Sequence, residues 1–353
     1  MKTHQKTIVY IFLIIQAGMF FPFIYNLIKE CLNKNQDERA VVLAQYNKIM
    51  IKHGIIRQSL VLTSKIKYLI SGKIVSNSVI DGKNDWLFYC NKEDGNLIAD
   101  YKGENYPDEA GIEQIKIGLS NNYNYLKNKG IGFILFVAPN KGRIYTRYLP
   151  DKIKPVEKMT ADYVVEKLQK ANLPFPVIYP KDELIALSDK YQVYYPRDTH
   201  WNLLGSYIGY RKLMKIGFDL DLPTLESLNI HEKPSADKGD LVNMVKLEKY
   251  YPNLTEYYLK EFDDIKSENS EKYINLNPII NKSVLVICDS FGEGLKKYFI
   301  KTFSRVLFVT RKNYTFETFE KFSPNVVIFE SVGRLIHSKE HIDFYLGFDS
   351  KSK

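Results

Sequence analysis

The sequence predicts an α/β fold built on a parallel, doubly wound sheet. Three observations carry that expectation. Short apolar, β-branched runs recur at 133–137, 284–288, 307–310 and 326–330, each long enough for a buried strand and too short for a helix. Between such runs lie stretches with helical spacing, at 112–126 and 160–170. Strands and helices alternating at this interval favour parallel strands joined by right-handed crossovers.

Taken in order, residues 8–28 carry no charge, enough length to cross a bilayer and too much for the core of a signal peptide. We read them as an uncleaved signal anchor within 1–30. Lys2 and Lys6 precede it while Lys29, Lys34 and Arg39 follow, so flanking charge does not orient it. A broad apolar stripe (Val41, Met50, Ile51, Ile55, Leu62) predicts a helical stalk over 36–72, closed by Ser71-Gly72, within a segment 31–78.

From 79 to 353 the texture is α/β. An aromatic strand at 85–89 follows a Gly-Lys-Asn turn. A helix at 112–126 closes at Gly130, the strand 133–137 leads into a loop at 139–150, and the helix 160–170 precedes a short strand at 177–179. A further helix begins at Leu203 and ends at Gly217. Residues 246–282 are polar and read as an irregular insertion on the sheet edge.

The chain has 353 residues with 45% hydrophobic and 26% charged residues, ordinary for a globular protein with a sizeable core. Its net charge of +9 comes from scattered lysines, and no Arg-rich run interleaves with aromatics, which sets nucleic acid aside. Cys31, Cys90 and Cys288 are too sparse for a disulfide framework or a thiolate zinc site.

Two stretches carry chemistry. Ser290 follows the strand 284–288, with Gly292 and Gly294 ahead of an apolar-periodic helix (Leu295, Phe299). A serine at a strand-to-helix turn stands at the carboxyl edge of a parallel sheet, where backbone N–H groups stabilise negative charge. The same residues also fit an ordinary helix cap. Serine needs a base, and the base needs a carboxylate to orient it. Asp198 and His200 offer that pair ahead of a helix, although Asp198 or Thr199 would equally serve as that helix's N-cap. His4, His53, His231, His337 and His341 show no such pairing, and nothing at suitable spacing completes a zinc site.

Six blocks then stand in one order: GKNDWLFY (82–89), VAPNKGRIYTRYLP (137–150), RDTHWN (197–202), GDLVNM (239–244), VICDSFGEG (286–294) and NVVIFESVGR (325–334). Together they resemble the AlgX/AlgJ-like branch of SGNH hydrolases, the alginate-type O-acetyltransferases. The resemblance implies a three-layer sandwich with a central parallel sheet. It also implies Ser290 as nucleophile, His200 as base and Asp198 as its orienting carboxylate; on our own reading of the residues, no metal and no cofactor are expected. Asn140 and Lys141, after a strand, would serve the oxyanion or the substrate. Glu330 and Arg334 would line the acceptor groove or form a local salt bridge. The catalytic domain would lie outside the cytoplasm on a single-pass anchor in the cell membrane. Its acetyl groups would come from a membrane-bound O-acyltransferase of the MBOAT kind, and a polysaccharide would accept them. Esterase activity with the same triad, D-alanyl transfer to teichoic acid and a non-enzymatic scaffold remain as alternatives. The chain departs from the family in carrying Cys288 where a glycine is common, which implies a tighter or shifted turn. No carbohydrate-binding module is expected after the catalytic domain.

Overall fold

The computed structural model describes residues 76–265 and 272–348 without a break, residues 68–74 ahead of them, and isolated positions from 18 to 65. The expected anchor and most of the expected stalk lie outside the described residues. Among the described residues no helix is long and apolar enough to cross a membrane. The described residues from Asn77 onward form one compact unit, apart from 245–247.

A two-stranded antiparallel sheet opens this unit, β1 (Val79–Asp81) with β2 (Leu87–Tyr89). Helices α1 (Leu97–Lys102) and α2 (Glu109–Asn128) follow, then β3 (Gly132–Ala138), α3 (Lys141–Ile144), α4 (Thr160–Lys170), β4 (Val177–Ile178), α5 (Lys181–Leu187) and α6 (Leu203–Phe218). The second half holds β5 (Ile230–Pro234), α7 (Asp240–Val245), β6 (Thr255–Leu259), β7 (Lys272–Ile274), β8 (Ile280–Cys288), α8 (Lys296–Thr302), β9 (Phe303–Thr310), α9 (Phe316–Phe322), β10 (Val326–Val332) and α10 (Lys339–Leu346).

The central sheet has the order β4-β3-β10-β8-β9-β7. Neighbours pair in parallel except β7, which runs antiparallel to β9. Two expectations are corrected here. The sheet is mixed, and the described part of 246–282 holds strands where an irregular insertion was expected: β6 pairs with β5 and β7 completes the sheet edge. The reason is exposure. Lys272 and Ile274 are exposed and Tyr273 is half-buried, so this edge strand lacks the continuous apolar signal of a buried one. The expected loop at 139–150 also contains α3 and a short 3-10 turn at Thr146–Tyr148.

Alternation along the strands splits the core into two layers. Ile134, Phe136, Val284, Val286, Val306, Phe308 and Ile328 face one cluster with Leu204, Tyr207, Tyr210 and Leu213 of α6 and Tyr298 and Phe299 of α8. Phe133, Leu135, Leu285, Ile287, Val327 and Phe329 face the other, with Ile115 and Leu119 of α2, Val164 and Leu168 of α4, and Phe319 of α9. A sheet covered on both faces explains why these strands read as unbroken apolar runs. Because β3, β8 and β10 are parallel and in register, the residues after Ala138, Cys288 and Val332 emerge at one edge.

Candidate active site

Ser290 begins a 3-10 helix (Ser290–Leu295) that runs into α8. Asp289 caps it, its Oδ1 accepting the Phe291 N–H at 2.9 Å. As the first residue of the helix, Ser290 has a backbone N–H with no intrahelical acceptor. The side chain is exposed. The turn fits Cys288 through a glycine two residues past the serine: a Cβ at Gly292 would lie 2.6 Å from the Cys288 Sγ. Burial pushes the Cys288 thiol well above its ordinary pKa, with the nearby Glu330 and Asp289 charges adding to it. The thiol is therefore a packing group.

The imidazole arrives on a closed loop. An isolated antiparallel bridge pairs Tyr194 with Trp201 and pins both ends of 195–200. Asn202 caps α6 by accepting the N–H groups of Leu204 and Gly205, both at 3.0 Å. That leaves Asp198 and Thr199 free of the capping role open to them in the sequence. The Trp201 indole donates to the Phe291 carbonyl at 3.1 Å and ties this loop to the Ser290 turn.

The three side chains meet. His200 Nε2 lies 2.8 Å from Ser290 Oγ, and His200 Nδ1 lies 2.7 Å from Asp198 Oδ1. The same Oδ1 accepts the His200 backbone N–H at 2.9 Å, and Oδ2 accepts the Asp240 N–H at 2.9 Å. Burial of the ring opposes its positive charge, but the Asp198 bond and charge, with the Asp240 charge behind them, raise the His200 pKa above its ordinary value. Burial likewise works against the Asp198 charge. The His200 bond and charge and two backbone N–H groups outweigh it and hold that carboxyl below the usual range.

Of the remaining expected site residues, Asn140, Lys141 and Arg334 line one narrow cleft with Thr199 and Phe291, the neighbours of His200 and Ser290. Asn140 is buried and its Oδ1 has no hydrogen-bond partner. Arg334 pairs with Asp94 at 3.4 Å and lies over the Tyr89 ring.

Lys141 corrects the expectation of substrate contact. Its buried Nζ donates to the carbonyls of Tyr195 (3.2 Å), Pro196 (3.0 Å) and Asp198 (2.6 Å), matching three acceptors to the three donors of an ammonium. Burial pushes its pKa down to about 7 while the Asp198 and Asp240 charges oppose the fall. The Trp86 and Phe88 rings lie 5.8 and 5.2 Å from Nζ, which explains the aromatic block before it. Lys141 holds the Asp198 loop from below.

Glu330 is the second correction. β10 runs two residues beyond the expected 326–330, so Glu330 shares the inward face of Ile328 and Val332 instead of following the strand. It is fully buried beneath the Ser290 turn, where Oε2 accepts the Asp289 N–H at 3.0 Å. It lines no groove, and Arg334 takes Asp94 as its ion partner instead.

The sequence reading also missed Arg311 and Asp240. Arg311 donates to the Glu330 carbonyl at 2.5 Å and pairs with Asp289 Oδ2 at 3.3 Å, while that Oδ2 accepts the Val332 N–H at 2.6 Å. The signal was an arginine just past the strand neighbouring the serine's own. For Asp240 it was the GDLVNM block, whose purpose the sequence leaves unstated.

A family model described as the SGNH hydrolase-like domain, acetyltransferase AlgX, matches residues 79–304. The chain belongs to this family. It is an AlgX-type acetyltransferase. Solved structures share the fold at low identity. PatB1 of Bacillus cereus aligns with a TM-score of 0.54 and 15% identity, covering 75% of this chain and 99% of that one. A DHHW family protein from Eubacterium siraeum aligns at 0.51 and 14%, covering 78% and 100%. PatB1 has also been solved with a sulfonyl adduct, at 0.52 and 16%, covering 74% and 98%. No curated protein sequence matches the chain.

Proposed function

We propose that this acetyltransferase works through an acetyl-Ser290 intermediate and delivers the acetyl group to a hydroxyl of a cell-surface or exported polysaccharide. One observation carries the reading: an exposed serine whose Oγ is 2.8 Å from an imidazole that is itself 2.7 Å from a half-buried carboxylate. His200 Nε2 takes the Ser290 proton as Oγ bonds to the acetyl carbonyl carbon. The carbonyl oxygen becomes an oxyanion, met by the Ser290 N–H and the Asn140 amide. The tetrahedral centre then breaks its bond to the donor, which leaves with the proton from His200. A sugar hydroxyl loses its proton to His200 and attacks the ester, and Ser290 regains that proton as the acetyl oxygen bond forms on the sugar.

The charge-free segment 8–28 supports a single-pass membrane anchor with the catalytic domain outside the cytoplasm. An integral membrane acyltransferase of the MBOAT kind is the natural donor for such a placement. The test uses the full-length protein with 4-nitrophenyl acetate, with and without an oligosaccharide acceptor. Acetylated sugar supports transfer. Free acetate alone makes the protein an esterase, and loss of acetyl esters from wall or capsule glycans in a Ser290→Ala strain identifies the acceptor.

A further inference from the structure

A second carboxylate sits beneath the loop that carries His200. Asp240 opens α7, and its Oδ1 accepts the Thr199 N–H at 2.8 Å while its Oδ2 accepts the Thr199 hydroxyl. With its proton directed at Asp240, the Thr199 oxygen turns lone pairs toward His200 Nδ1, 3.2 Å away. Asp240 Oδ2 itself lies 3.8 Å from that nitrogen. The backbone N–H of Asp240 meanwhile fixes the far oxygen of Asp198 at 2.9 Å. This approach depends on Gly239, which takes a φ of +105°; a Cβ there would stand 2.1 Å from the Arg197 carbonyl oxygen.

We propose that Asp240 is a positioning residue for acetyl transfer: it holds Asp198 and Thr199 against His200 and adds a second negative charge that stabilises the imidazolium formed at each proton transfer. The proposal rests on the roles of Ser290 and His200 stated above. The groups facing the imidazole are Asp198 and Thr199 from its own loop, Asp240, Ser290 with the Phe291 ring at 5.0 Å, and the Arg334 charge from beyond β10. Arg334 opposes a charged ring, and both carboxylates favour it. Burial and the Asp198 charge push the Asp240 pKa up, against the two bonds from Thr199 that favour its ionised form. A carboxylate that merely anchored the loop would affect stability and leave the ring's titration where it was.

The experiment compares full-length wild type with Asp240→Asn, Thr199→Val, Asp198→Asn and the Asp198→Asn/Asp240→Asn double variant. It follows kcat, KM and the pH profile on 4-nitrophenyl acetate, and the His200 imidazole titration by NMR in a Ser290→Ala background. Asp240→Asn is expected to move the acid limb and the ring titration down by about one pH unit, with kcat about tenfold lower and KM unchanged. Thr199→Val shifts both in the same direction by less. The double variant loses less than the product of the single losses, because both carboxylates act on one imidazolium. A folded Asp240→Asn protein with a wild-type acid limb and ring titration overturns the proposal. If that variant does not fold, a wild-type profile for Thr199→Val does so. If Ser290→Ala retains turnover, the nucleophile assignment fails, while the NMR titration still decides whether Asp240 acts on His200.

Discussion

On the imidazole side of Ser290, Asp198 on a partly open loop and Asp240 at the start of α7 reach a ring that gains and loses a proton in the proposed mechanism. On the sheet side, Glu330 is sealed under the turn, and Asp289 is tied to Arg311, Phe291 and Val332. Burial pushes the Glu330 carboxyl well above its ordinary pKa, with the Asp289 charge adding to the rise. The two flanks hold the same residue types for different ends. On the first flank the Asp198 charge is kept, beside a ring that carries the proton in the proposed mechanism. Beneath Ser290 the Glu330 carboxyl is driven toward its neutral form, and its work is to hold the Asp289 N–H and so the turn.

The largest expected effects fall on the reacting atoms. Ser290→Ala and His200→Ala should each reduce acetyl transfer by a factor on the order of 10⁴ or more, since triad members act as a unit. Circular dichroism should show both folded; substantial turnover by either would remove the triad from the account. Asp198→Asn comes next, costing on the order of 10³ in kcat through the wrong tautomer, with circular dichroism showing the variant still folded.

On the sheet side the comparison concerns stability. Arg311→Met leaves Asp289 without its cation and should lower unfolding free energy by roughly 3 kcal/mol or more, as removal of one partner from a buried pair does. Urea titration checks this. Glu330→Gln should cost about 1 kcal/mol or less, because an amide keeps the acceptor for Asp289 and carries no charge to bury. A Gln variant as damaged as Arg311→Met would show that Glu330 is needed ionised, and the contrast between the flanks would collapse.

The pH dependence sharpens the same contrast. His200 must be neutral to accept the serine proton, and its pKa is raised above about 6.5, so activity should fall as pH drops below that raised value. For stability the sign is opposite. A raised histidine stabilises the fold fully below its unfolded pKa, and this contribution fades as pH climbs through the folded one. Asp198, whose pKa is depressed, stabilises above its unfolded value near about 3.9 and loses that contribution as pH falls through its folded value.

How much of this was legible depends on burial. Strands β3, β8 and β10 were readable because helices cover both faces, and β7 was not because a half-exposed edge strand needs no apolar run. Ser290 was visible at its turn, and Asp198 and His200 as a close pair followed by a helix. The assignments of Lys141 and Glu330 failed for a physical reason. The sequence shows that they lie near a strand end, but whether a side chain faces solvent or the loop beneath depends on where the strand stops and what approaches it. Asp240 depended on a glycine whose backbone geometry only the folded chain reveals.

Intact-mass and peptide analysis of the full-length protein, quenched during turnover of 4-nitrophenyl acetate, tests the central claim most directly. The account predicts a single acetyl group, carried on Ser290 and absent from Ser290→Ala. Acetyl found elsewhere with transfer intact, or undiminished transfer by Ser290→Ala, would contradict it.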